Sequence, residues 1–294
     1  MYTSRRNFLT KSSLLTSAIA LNSFSCGNLL FTSGTKMKLG LVTYLWGKDW
    51  DLPTLIANCE KSNLSGVELR TEHAHGVEIS LSSSQRLEVK QRFDDSPVEV
   101  VGYGSNYAYD NPDPEVLRKS IEDTKKYIIL CQDIGASGIK VKPNQFHEGI
   151  PKEKTLEQIG ESLRELGKFG SDYGQEIRLE VHGTGTSELP NIKKIMDVAD
   201  HPNVGVCWNC NDVDLYGEGL NYNFNLVKDR FGSTVHVREL NIGPYPYQEL
   251  VKLLVDMDYE GWILLECRTN PDDKVAAIIE QDKVFKEMIE NAKR

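Results

Sequence analysis

Along this chain, short stretches in which apolar and polar residues alternate one by one recur, each followed by a longer stretch with helical spacing. "LGLVTY" (39–44) precedes "DLPTLIANCEKSN", "SGVELR" (65–70) precedes "SLSSSQRLEVKQRF", and "VEVVGY" (98–103) precedes "DPEVLRKSIEDTKKYIILCQDIG". "SGIKVK" leads into "KEKTLEQIGESLRELGKFGSDYG", and "IRLEVHG" (177–183) into "SELPNIKKIMDVAD". "NVGVCW" leads into a loop and a weak helix near "NFNLVKDRF", "TVHVRE" into "YPYQELVKLLVDM", and "GWILLE" into "DDKVAAIIEQDKVFKEMIENA". A period of two marks strands and a period near 3.6 marks helices, so the pattern predicts eight βα units. Ser80 and Asp113 stand where helices should start, and Gly135 and Gly174 where they should stop. Strands separated by helices pair in parallel, and eight such units close into a (β/α)8 TIM barrel. The rival, an open doubly wound sheet, wants a Gly-rich phosphate turn after its first strand, and "YLWGKDW" supplies none.

The same alternation says which side chains share the barrel axis. Ile177, Leu179 and Val181 take one face of the fifth strand, leaving Arg178, Glu180 and His182 on the other. Glu68 and Arg70, Lys140 and Lys142, His236 and Arg238, and Glu266 and Arg268 are placed in the same way on their strands, with Asn209 on the sixth. In a parallel barrel the apolar set faces the helices, so the polar set points inward, toward the carboxyl ends where substrates enter. Glu180, Asn209, His236 and Glu266, on four successive strands, form a candidate ligand set for one divalent ion such as Mn²⁺, Co²⁺, Mg²⁺ or Zn²⁺. No cysteine is expected on this face. His182, Lys142, Arg238, Glu68 and Arg268 are candidate substrate-binding groups, and Trp46 offers a flat face to a sugar ring. His73 and His75 read as exposed loop residues of the second βα unit.

Composition narrows the partners. A formal net charge of −9 argues against a nucleic-acid backbone as partner, because that binding rests on clustered Lys and Arg. Cys207 and Cys210 have C-x-x-C spacing but lack a second pair, and packing is the better reading of them. At the N-terminus, Arg5 and Arg6 open "SRRNFLTKSSLLTSAIALNSFSC", which resembles a twin-arginine export signal. Residues 1–34 are therefore expected to be signal and linker, and residues 35–294 the barrel. The protein is then exported to the periplasm or envelope, meeting membrane only through the signal or a lipid on Cys26.

From residue 37 to 290 the chain resembles the xylose isomerase-like TIM barrel family of sugar isomerases and epimerases, which includes ketose 3-epimerases, inosose dehydratases and apurinic-site endonucleases. "HVRE" is similar to that family's His-x-Lys-Asp, and "YEGWILLE" to its Asp-Gly-Trp lead into the last strand. The resemblance implies one metal held by Glu, Asp, His and Glu at the ends of strands five to eight. Glu180, His236 and Glu266 match; Asn209 departs from the Asp, and Asp212 in the next loop is a candidate substitute. It further implies that Glu180 and Glu266 form an acid/base pair that moves a proton next to the carbonyl of a keto sugar. A lyase or dehydratase acting on 3-keto-glycosides is the alternative chemistry, and a non-catalytic sugar-binding barrel the alternative class. The expected partner is a small sugar or glycoside.

Overall fold

The structure, a computed structural model, describes residues 36–294. The 1–34 segment, with its Arg5–Arg6 pair and Cys26, lies outside the described residues. Eight strands alternate with eight helices: β1 (Lys38–Val42), α1 (Leu52–Lys61), β2 (Gly66–Arg70), α2 (Ser83–Asp94), β3 (Glu99–Ala108), α3 (Pro114–Ile134), β4 (Gly138–Lys142) and α4 (Lys152–Asp172). The second half continues with β5 (Glu176–Glu180), α5 (Leu189–Ala199), β6 (Val204–Asn209), α6 (Leu220–Val227), β7 (Phe231–Val237), α7 (Tyr247–Asp256), β8 (Trp262–Leu265) and α8 (Lys274–Ala292). Every neighbouring pair is parallel, and β8 pairs with β1 to close the barrel. This is the expected (β/α)8 architecture, reached because right-handed crossovers place every helix on the outside.

Helix ends follow side-chain chemistry. Asp113 accepts from the Glu115 amide at the start of α3, and Gly135 closes that helix at φ 83°, where a side chain would be strained. For α2 the cap is Ser82, not Ser80: Ser82 and Gln85 form a reciprocal capping box.

Apolar side chains divide into two bodies. The larger lies between strands and helices and includes Leu41, Leu69, Val141, Leu179, Trp208 and Val235. The smaller, Val42, Val101, Trp262 and Leu264, fills one side of the barrel interior. Glycines make room for it, since a Cβ on Gly66 would lie 2.3 Å from the Trp262 ring. On the opposite side, the space beside Gly102 and Gly138 is taken by the fully buried Arg178. Its guanidinium bonds Glu176 Oε2 (2.7 Å), Ser137 Oγ (2.7 Å) and the Val101 carbonyl (3.3 Å). A buried guanidinium needs such partners, and they form a polar floor beneath the mouth of the barrel.

Candidate functional site

Above that floor, strand alternation delivers Glu68, Lys140, Glu180, Asn209 and His236 to the axis, and Glu266 follows the last residue of β8. All six are buried. His236 Nδ1 lies 3.5 Å from Glu180 Oε1 and 3.8 Å from Glu266 Oε2. One donor atom from each of Glu180, His236 and Glu266 falls within 4.8 Å of the others, the one such group among the described residues. Each converging residue has its remaining polar atom turned toward an outer partner. Lys140 Nζ donates to Glu180 Oε2 (2.8 Å), Arg70 Nη1 donates to Glu266 Oε1 (2.7 Å), and His236 Nε2 faces Glu68 Oε1 at 3.2 Å. Asn209 Nδ2 donates to Glu180 Oε1 (2.7 Å), steadying the oxygen that faces the imidazole.

The electrostatics of the cluster are unbalanced. With a neutral imidazole, Glu68, Glu180 and Glu266 set three carboxylates against Lys140 and Arg70. Burial opposes the charge on Glu180, yet Lys140 and His236 hold its pKa well below the ordinary value. Glu68 is likewise held down against burial, by His236, Lys140 and Arg178. Burial also opposes a charge on His236, but Cys207, Glu68 and Glu180 push its pKa well above the ordinary value. The pocket thus draws in positive charge. Neither ring nitrogen of His236 is aligned for a hydrogen bond, and neither are the Glu68 oxygens. Buried imidazoles are normally satisfied. An unsatisfied Nδ1 between two carboxylate oxygens, with a carboxylate behind the ring, could hold a divalent ion and give it outer support.

A family model described as xylose isomerase-like TIM barrel matches residues 56–290. The chain belongs to that family. Curated relatives include the inosose dehydratases of Bacillus thuringiensis (strain Al Hakam), 22% identical over 277 residues with 80% of this chain and 91% of that protein covered, and of Clostridium beijerinckii, 21% identical with the same coverage. Among solved structures, L-ribulose 3-epimerase superposes with a TM-score of 0.75 at 14% identity, covering 88% of this chain and 96% of that one. The apo form of the E. coli 3-keto-D-glucoside 4-epimerase gives 0.73 at 14%, covering 85% and 99%. The IOLI protein with a bound zinc atom gives 0.73 at 16%, covering 87% and 99%.

Set beside the family's expected site, the structure brings Glu180, Asn209, His236 and Glu266 together and leaves Asp212 exposed on the turn after β6, outside the donor group. His182 and Lys142 stand at the mouth, half-buried. Arg238, also half-buried, donates from Nη2 to Asn211 Oδ1 (2.7 Å). Arg268 is exposed, with its backbone N–H donating to Glu239.

Several expectations are corrected. Glu68 is 0% exposed behind His236, so it backs the imidazole rather than meeting substrate hydroxyls, and Arg70 beside it on the same face pairs with Glu266. The partner of Glu180 is Lys140, deeper than Lys142 on the same face. Trp46 is 2% exposed with its indole N–H on the Thr269 carbonyl (3.0 Å), a packing role that removes its ring from the mouth. His75 is buried, bonding the Arg70 carbonyl and the Val77 amide, and His73 is half-buried against Thr43. Cys207 does share the inward face, one pleat below Asn209, although it stands outside the donor group. Lys140, Arg70 and Asn106 went unnoticed in the sequence as site residues. Alternation did place Lys140 and Arg70 inward; only Asn106 carried no signal.

Proposed function

We propose that this protein is a divalent-metal-dependent sugar isomerase or epimerase that removes and returns a proton on the carbon beside the carbonyl of a keto sugar. The observation that carries the reading is the convergence of one oxygen from Glu180 and one from Glu266 on His236 Nδ1, with the other oxygen of each carboxylate held by a cation. Glu180, His236 and Glu266 would hold the metal, with Asn209 beside them as a neutral fourth group. When bound, a divalent ion supplies Lewis acidity at the carbonyl and neighbouring hydroxyl oxygens of the sugar.

The chain's own residues do the rest. Glu180 and Glu266 project from β5 and from the end of β8, across the barrel, as the base and acid on either side of the reacting carbon. Lys140 holds Glu180 ionised as the base, and Arg70 aims the Glu266 carboxyl through their 2.7 Å contact. Lys142, at the mouth, is placed to bind a polar group of the substrate away from the reacting carbon. The resemblance in fold to L-ribulose 3-epimerase and to a 3-keto-D-glucoside 4-epimerase supports this chemistry.

A second reading ends the same proton removal in elimination, the loss of a neighbouring oxygen substituent. The inosose dehydratases found over 80% of the chain favour it, as does the proposed twin-arginine export, which would put keto-glycosides rather than metabolic intermediates within reach. The test is deuterium exchange in D₂O under Mn²⁺, Co²⁺, Mg²⁺ or Zn²⁺ with keto sugars and 3-keto-glycosides. Exchange beside the carbonyl, lost in Glu180→Gln and Glu266→Gln, is expected. Release of a free aglycone would assign the lyase; ligand-induced stabilisation that survives a chelator, without exchange, would indicate a non-catalytic sugar-binding barrel.

A further inference from the structure

At the mouth of the barrel, one ammonium sits without a direct counter-ion. Lys142 Nζ and Arg70 Nη2 both donate to one neutral oxygen, Asn106 Oδ1, at 3.1 and 3.0 Å. Arg70 also has the Glu266 carboxylate, but Lys142 has no carboxylate within ion-pair distance among the described residues. Arg238 repeats the arrangement on the far side, resting on Asn211 Oδ1 rather than on an acid. Beside Lys142, His182 carries a buried Nδ1 without a hydrogen-bond partner. Arg70 is already paired with Glu266, but the two like charges sharing one uncharged acceptor still repel each other, and an anion placed between them would relieve that repulsion. Asparagine stands where aspartate would have neutralised them.

We propose that the substrate is an acidic sugar, a keto sugar or keto-glycoside bearing a carboxylate whose charge is received by Lys142 and Arg70 at the mouth. The inference rests on the reading of the site as a sugar-transforming centre and adds the charge class of its substrate. A carboxylate fits better than a phosphate because the seat offers one free ammonium, suited to a single negative charge. The carboxylate replaces the missing counter-ion of Lys142 and can accept from Arg70, while the carbonyl end of the sugar reaches Glu180 and Glu266 below.

Calorimetric titration of the full chain, loaded with Mn²⁺, against D-fructose, D-fructuronate and D-fructose 6-phosphate tests it. These probes share a keto-sugar frame and differ in charge. Fructuronate should bind about ten- to a hundred-fold more tightly than fructose, the value of a charge-assisted bond. Lys142→Gln should bring that ratio close to one with metal content unchanged. Asn106→Asp, which builds the counter-ion into the protein, should do the same without deleting a cation. A parental ratio near one, no binding of fructuronate, tighter binding of the phosphate, or a preference that survives both variants overturns the proposal. Failure of the parent to bind metal or exchange hydrogen overturns the underlying sugar-enzyme reading, whereas exchange on fructose with no preference for the acid overturns only this inference.

Discussion

Lys140 has no exposed surface, and its ammonium reaches only Glu180 Oε2 and, at 3.2 Å, the Ser105 carbonyl. Removing one member of such a buried pair strands the other, at a cost of about 3–5 kcal/mol. Lys140→Met should therefore lower the unfolding free energy of chelated protein, read by denaturant titration, by that much. It should also enlarge the stabilisation produced by added Mn²⁺ or Zn²⁺, because a positive neighbour of the proposed ligand oxygen has gone; equal metal stabilisation in parent and variant would contradict the proposed site. Asn209→Asp should strengthen metal uptake by the same logic, read as a lower dissociation constant in a competition titration. Glu176 illustrates the acid limb of stability. Burial opposes its charge, but Arg178 and Ser233 hold its pKa below the ordinary value. A depressed folded pKa contributes stability that is complete above the ordinary carboxylate value of about 4.3 and is lost as pH falls through the folded value. Acid titration of unfolding should show that loss, and Glu176→Gln together with Arg178→Met should reduce it.

At the scale of elements, the barrel interior works by pairing large side chains with glycines on the facing strand. A Cβ on Gly138 would lie 2.4 Å from the Glu176 carbonyl and 3.0 Å from Arg178, so Gly138→Ala should destabilise by roughly 1–3 kcal/mol in denaturant unfolding. Ser82→Ala should cost about 0.5–2 kcal/mol through α2, whereas Ser80→Ala should be nearly silent. The connection after β6 adds a pH response of opposite sign to that of Glu176. Burial pushes Asp214 up to about 7, against bonds from the Asn211 amide and Tyr245 Oη, the latter at 2.7 Å. A raised carboxyl pKa favours the fold below the unfolded value of about 3.9 and loses that contribution as pH climbs to the folded value. Asp214→Asn should flatten the stability profile between those limits. These elements show how far sequence carries. Strand and helix existence was legible from periodicity, yet β7 starts at Phe231, earlier than "TVHVRE" suggests, because Phe231 packs with Trp208 and Phe224. Ser80 and Ser82 look alike in "SLSSSQ", and only the Gln85 return bond separates them.

Over the whole molecule, the five cysteines of the barrel, Cys59, Cys131, Cys207, Cys210 and Cys267, are all buried and free. Burial pushes the Cys59 and Cys131 thiols up to about 12. Native protein should leave these five thiols unreacted with a thiol reagent at pH 8 and release all of them in denaturant; fast labelling of the native state would show that the barrel opens. What the chain determined by itself is the barrel and the membership of its inner face, because a period of two and strict βα succession leave a parallel sheet little freedom in which side chains point inward. Which inward side chains touch is a different matter. Lys140 and Lys142, or Glu68 and Glu266, are equivalent to alternation, and which neighbours each meets is decided only when stagger between strands and closure of β8 on β1 set the heights of the strands against one another. Closure carries Arg70 to Glu266, 196 residues away in sequence, and leaves Lys142 with an asparagine. Charge pairing acts over a few ångströms, and only the tertiary structure decides which groups come that close.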